Sequence, residues 1–238
     1  MIKEPAFAIM PIGPRVEAFP AKRPVRTTIE GRLVTLMPLD PQNHGETLYE
    51  ATQGEAGDRL WLYLFDGPFT SRAVFEAYLQ RAAASEDPLF FAIVDRTLEI
   101  ALGYAAYMRI EPVHRAIEVG SILYTPSLQR TAAATEAMYL MARHVFEDLG
   151  YRRYEWKCNA LNAISRRAAL RLGFTFEGIF RQHMIVKSRN RDTAWFSMLD
   201  SEWPERKANF EHWLDPLNFD QNGRQRTSLS VLNKPIGG

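Results

Sequence analysis

Ser121-Ile122-Leu123-Tyr124-Thr125-Pro126-Ser127-Leu128-Gln129-Arg130-Thr131-Ala132-Ala133-Ala134-Thr135-Glu136-Ala137 runs from an apolar, β-branched segment through a proline-bearing turn into a helix. Over residues 131–149, Ala134, Met138, Met141, Val145 and Leu149 recur at helical spacing, and Gly150 is the expected stop. A helix start exposes backbone N–H groups without internal partners and the positive end of the peptide dipoles. The small residues Ala132, Ala133 and Ala134 leave that backbone open to a ligand, and Arg130 adds a charge. With Gln129, Thr131 and Thr135 they make a candidate anion cradle suited to a pyrophosphate. The same residues also read as an ordinary alanine-rich helix with a threonine cap, because alanine is the best helix former.

Upstream lie three runs rich in β-branched and aromatic residues: Leu89–Asp95, Ala101–Ile110 and Ala116–Tyr124. Breaks at Arg96–Glu99 and Glu111–Arg115 make them an antiparallel meander. An earlier strand spans residues 32–37, a short helix 41–52, and a helix from Thr70 or Ser71 as cap to Ala84. Residues 54–70 read as irregular and aromatic: Trp61, Tyr63, Phe65 and Phe69 surround the turn signal Asp66-Gly67-Pro68. Downstream, Arg153–Cys158 is a fifth strand. A helix capped by Asn162 and stopped by Gly173 follows, with strands over Thr175–Lys187 and Thr193–Leu199 joined by a polar turn, Ser188–Asp192. This order predicts an α/β (α+β) fold with a mixed, mostly antiparallel central sheet and flanking helices. The expected division is a proline-rich arm over 1–30, a domain over 31–203, and a helical segment with a polar tail over 204–238.

Composition narrows the function classes. The formal net charge is +1, so no global field draws the chain to nucleic acid or an anionic membrane. No apolar run approaches the ~20 residues that span a bilayer, and the N-terminus lacks the apolar stretch of a signal peptide. One cysteine, Cys158, fits a reducing cytoplasm and rules out a disulfide within the chain. The five histidines are scattered without ligand spacing, so no metal is expected. The chain is read as a cytoplasmic monomer or homodimer.

Position lifts the cradle above an ordinary helix start. The order of elements and the local motifs resemble the GNAT superfamily (GCN5-related N-acetyltransferases), and within it the RimJ/RimL-like branch. The family pattern Q/R-x-x-G-x-G/A is matched by Gln129-Arg130-Thr131-Ala132-Ala133-Ala134, with Thr135-Glu136-Ala137 following as in that branch. N-x-x-S is matched by Asn162-Ala163-Ile164-Ser165, and L-G-F by Leu172-Gly173-Phe174. Ala132 departs from the pattern: its methyl stands where the family has glycine, narrows the approach to a pyrophosphate and disfavours φ > 0.

The resemblance implies acetyl-CoA as co-substrate, with its pantetheine arm along Ile122, Leu123 and Tyr124. It also implies a splay between the fourth and fifth strands, and an amine acceptor that is a small molecule or a protein N-terminus. Ser165 matches the family serine near the CoA sulfur, and Asn162 caps its helix and borders the cofactor. Glu118, just before Gly120, is the candidate proton acceptor; an outward-facing strand residue is its other reading. Trp61, Tyr63 and Asp66 stand where relatives build the acceptor wall, or form a satellite apolar cluster. His183 on a late strand is either a structural histidine or an acceptor contact. Acetyl passing first to Cys158 is weighed below direct transfer, because a lone strand cysteine is usually buried and inert. A non-catalytic acyl-CoA-binding module on the same fold stays open beside the enzyme.

Overall fold

The structure is a computed structural model that describes residues 11–234. Residues 1–10 of the expected proline-rich arm lie outside the described residues. Eight strands form one sheet in the order β1-β2-β3-β4-β5-β6-β8-β7. They are β1 (Ile29–Glu30), β2 (Val34–Pro38), β3 (Leu89–Asp95), β4 (Ala101–Glu111), β5 (Ala116–Tyr124), β6 (Arg153–Asn159), β7 (Thr175–Val186) and β8 (Arg189–Leu199). Among the described residues only β5 and β6 pair in parallel, as expected for a strand–helix–strand unit inside an antiparallel sheet.

The continuous apolar run of β3 is buried on both faces, and its alternation divides the core. Leu89, Phe91 and Ile93 face the larger cluster, under α4 (Ala132–Arg143), α5 (Ala163–Arg171) and α6 (Trp203–Leu214). Phe90, Ala92 and Val94 face a smaller one, under α1 (Pro41–Ala51) and α3 (Arg72–Ala84). On β6 the alternation is sharper. Tyr154, Trp156 and Cys158 point into the larger core, while Arg153, Glu155 and Lys157 point away from it. Helix cover on that second face gives way to ion pairs among side chains of β4, β5, β6 and β7.

Local sequence accounts for most elements. Thr131 caps α4, its Oγ1 accepting from Ala134 N at 3.1 Å. Asn162 caps α5 by accepting from Ser165 N at 3.0 Å. The Glu136 carboxylate accepts from the N–H groups of Arg32, Leu33 and Val34, which fastens the start of β2 to α4. Residues 54–60, expected to be irregular, form the short helix α2 (Gly54–Leu60). Gly54 and Gly57 lower its intrinsic propensity, so packing decides there. Ser71 does precede α3, but its side chain makes no capping bond.

The β7–β8 turn is also tighter than expected. Lys187 and Ser188, at φ +51 and +59, form it alone, and Arg189–Asp192 belong to β8. The C-terminal segment is more than a tail. Trp203, Phe210, Trp213 and Leu214 of α6, with Leu229 of α7 (Leu229–Leu232), enter the larger core.

Candidate active-site cleft

The cleft opens where β5 and β6 part. Their pairing runs from Ala116↔Arg153 to Val119↔Trp156 and stops, although β5 continues to Tyr124 and β6 to Asn159. Directly after the last pair β5 bulges. Between Tyr104↔Leu123 and Ala106↔Gly120 it carries one residue more than β4, and Ser121 takes up the kink at φ +47. Gly120 is needed here, because a Cβ would sit 2.5 Å from Met108 Sδ and 3.2 Å from Glu118 Oε1. The cleft encloses about 2010 Å³, more than the ~300–1,000 Å³ of most small-ligand sites, and so has room for a long ligand and a second one.

One end is made by the start of α4. Gln129, Arg130, Thr131, Ala132, Ala134 and Thr135 line it, with Ile122, Leu123 and Tyr124 beside them. The Ala133 side chain packs against the core instead, and only its backbone is at the helix start. The positive φ of this turn falls on Arg130, at +62, while Ala132 opens the helix. The alanine at the glycine position therefore carries no backbone strain, contrary to the sequence expectation.

The wall beyond was not anticipated. Arg171 Nη1 donates to Thr135 Oγ1 at 3.1 Å, and its guanidinium lies 4.7 Å over the Trp213 ring. Trp213 Nε1 donates in turn to Gln225 Oε1 at 2.7 Å. Arg224, Gln225 and Phe219 complete this side, so the segment after α6 closes this end of the cleft.

Asn162, Ser165 and Cys158 stand in the middle of the cleft. Trp156 Nε1 donates to Ser165 Oγ at 3.0 Å, which orients the hydroxyl and leaves its proton to donate elsewhere. Burial pushes the Cys158 thiol up, only partly offset by a hydrogen bond with Ser165 and by Arg191 and Arg166. A thiol held protonated is a poor nucleophile.

The other end is charged. Glu118, 3% exposed, accepts at Oε2 from Arg109 Nη1 at 2.6 Å and pairs with Lys157 Nζ at 3.0 Å. Lys157 also pairs with Glu155 at 2.6 Å and sits 3.9 Å over the Trp195 ring. The Asp87 carboxylate holds Arg109 in place by accepting from the backbone N–H of Arg109 and Ile110. Arg191 lies buried on β8 over the Phe65 ring at 4.9 Å, not on a solvated hairpin tip.

Of the expected acceptor wall, Tyr63 lines the cleft, with its hydroxyl 3.4 Å from the Leu161 carbonyl across the opening. Leu62, Leu64 and Phe65 line it too. Trp61 does not: it is 1% exposed and packs edge-on against Phe69, Phe75 and Tyr78 in the smaller core. Asp66 is exposed outside the cleft, and its carbonyl accepts from Lys187. His183 occupies a separate shallow recess with Phe180, its Nδ1 2.9 Å from Thr193 Oγ1. Arg109, Lys157 and Arg191 were missed as site residues. For Lys157 a signal existed: Arg153, Glu155 and Lys157 alternate with apolar residues, marking a charged face on a central strand. Among the described residues no three metal-ligating side chains converge, and no helix is long and apolar enough to cross a membrane.

A sheet parted beside a helix start, with a charged chamber at the far end, defines an acyl-transfer domain. Residues 34–175 match the family described as Acetyltransferase (GNAT) domain, and the chain belongs to it. It is similar to a GCN5-related N-acetyltransferase of Brucella melitensis, 50% identical, with TM-score 0.88 over 90% of this chain and 97% of that one. It is also 28% identical over 102 residues to the ribosomal-protein-serine acetyltransferase of Escherichia coli, a relative from the RimJ/RimL-like branch. That match spans 42% of this chain and 56% of the relative, little more than half its length. An acetyltransferase of the GNAT family from Bacillus anthracis, 16% identical with TM-score 0.64 over 74% of this chain and 100% of its own, shares the fold.

Proposed function

We propose that this chain is an N-acetyltransferase that moves an acetyl group from acetyl-CoA to a primary amine by direct attack in a ternary complex. The parting of β5 and β6 beside the start of α4 carries the reading. It supplies an unpaired strand edge for the amide-bearing arm of the cofactor and a dipole end for its pyrophosphate. Ala132, Ala133, Arg130, Thr131 and Gln129 would hold the phosphates. Arg171 and Arg224 would hold the nucleotide end, and Ile122–Tyr124 the arm. Residues 31–203 are the catalytic domain in this reading, with the segment from Trp213 to Gln225 serving the cofactor.

The amine nitrogen bonds to the thioester carbon as the carbon–sulfur bond breaks. The proton lost by the amine goes to Glu118, directly or through water. Arg109 and Lys157 fix that carboxylate at Oε2, while Oε1 borders the Gly120 bulge. The Ser165 hydroxyl, oriented by Trp156, donates to the departing sulfur. Tyr63, Leu62 and Phe65 form the acceptor wall. The acceptor is a small amine or a protein N-terminus, the latter kept in view by the name of the Escherichia coli relative. Thermal shift with acetyl-CoA followed by thiol release over an amine panel tests this. Stabilisation with amine-dependent release is expected. Stabilisation without release on any amine would reduce the protein to an acyl-CoA-binding module.

A further inference from the structure

The ion pairs at the charged end of the cleft leave one cation over. Arg109 and Lys157 share Glu118, Lys157 and Arg153 share Glu155, and Arg153 also takes Glu177. Among the described residues the Arg191 side chain belongs to no ion pair and donates no hydrogen bond. It is 7% exposed, and its Nε is fully buried without an acceptor. The Phe65 ring covers one face of the guanidinium, and the side chain lines the cleft. The charged or titratable groups in its electrostatic reach are Cys158, Glu118 and Arg109, and Glu118 is already shared by two cations. An unpaired buried guanidinium is costly, and the cost is offset only when an anion arrives. A planar fork held against an aromatic ring suits a carboxylate.

The anion is not part of the cofactor in the proposed reading. The phosphates of acetyl-CoA belong at the start of α4, at the opposite end, and its thioester arm is neutral. Arg191 lies on β8, two residues beyond the Asn159↔Thr193 pair that ends β6, on the acceptor side of the parted strands. The geometry points to an acceptor that carries a carboxylate as well as its amine, an amino acid or a close analogue, with Arg191 binding the carboxylate.

This inference rests on the acetyl-transfer reading for its chemistry, and two measurements separate the two. The first is acetyl transfer to matched pairs, such as phenylalanine with phenethylamine and glycine with methylamine, by wild type and Arg191→Gln. The carboxylate-bearing member is expected to have a kcat/KM about tenfold or more above its partner in wild type, since hydrogen bonds to charged groups are strong. In Arg191→Gln the ratio is expected to collapse towards one. The second measurement needs no turnover: thermal shift with succinate and with succinamide. Succinate alone is expected to raise the midpoint of wild type, and neither to raise that of Arg191→Gln. Arg191→Met, which removes an unpaired buried charge, is expected to melt higher than wild type, which a purely structural arginine would not do.

Equal rates within each pair, or no succinate shift in wild type, would overturn the inference and leave acetyl transfer standing. An Arg191-dependent preference for succinyl-CoA over acetyl-CoA would also overturn the inference, by assigning the carboxylate to the donor, and would replace acetyl by succinyl transfer. A succinate shift that depends on Arg191, with no transfer to any amine, would keep the anion site and sink the acetyl-transfer reading.

Discussion

The two ends of the cleft are built in opposite ways. The end at α4 comes from consecutive residues: Gln129 to Thr135 form a turn and a helix start, and backbone groups do most of the work. The end at Glu118 comes from side chains delivered by β4, β5, β6 and β8, plus one loop, each from a different part of the chain. The first is a local device that tolerates change in its side chains, as Ala132 illustrates by opening α4 without strain. The second depends on sheet register. It has few spare groups, so a single deletion there leaves buried charges without partners. A cofactor shared by many enzymes suits the first kind of site, and a particular acceptor suits the second.

This contrast can be broken at either end. The largest effect is expected on the register-built side. Lys157→Ala removes the ammonium shared by Glu118 and Glu155, and should cost about 3–5 kcal/mol of stability, because it leaves buried carboxylates underpaired. Chemical denaturation measures this; a loss under ~1 kcal/mol would show that the network is as dispensable as a surface pair. At the other end, Ala132→Asp should weaken acetyl-CoA binding by about 100-fold, through like-charge repulsion. The melting point should hold, since an acid in the first turn favours a helix. Calorimetric titration and thermal melting together check both halves.

Between the two ends, Ser165→Ala should lower kcat by about tenfold to a hundredfold, below the usual range for a lost general acid because a thiolate leaves readily. The KM for acetyl-CoA should change little. A fall in that KM's affinity with kcat intact would make Ser165 a cofactor contact only. The smallest effect concerns pH. Hydrogen bonding from Arg153 holds the Glu177 carboxyl below its ordinary range, with Ser197 assisting and burial opposing. A depressed carboxyl stabilises the fold above the unfolded value and loses that contribution as pH falls below ~4.3. Glu177→Gln should therefore flatten the acid limb of a stability–pH curve while leaving its neutral side nearly parallel.

The local structure of the first end was legible in the sequence and that of the second was not, for the same physical reason. The α4 start, the Asn162 cap and the Ser165 position are written in residues a few places apart, where periodicity and capping chemistry act directly. The parallel β5–β6 step and the mixed sheet also followed, from the order of elements. Arg191 was read as part of a polar turn because Ser188–Asp192 is uniformly polar. Only the two-residue turn at Lys187–Ser188 reveals that alternation resumes at Arg189 and turns Arg191 inward. Trp61 and Tyr63 could not be told apart by composition. Two residues apart in one aromatic segment, one is core and the other cleft, a choice made by packing against α3. The C-terminal contribution of Trp213 and Gln225 is likewise a matter of docking.

The Lys187 ammonium donates to the carbonyls of Trp61 at 2.7 Å and Asp66 at 2.8 Å. It stitches the turn after β7 to the segment carrying Tyr63 and Phe65. The two pieces of chain are therefore positioned as one unit. Exchanging residues 60–66 for a segment with a different backbone path, without also exchanging the hairpin that ends in Lys187, would leave the ammonium without its two backbone acceptors. Any effort to retarget this scaffold to a new amine has to transplant both segments together.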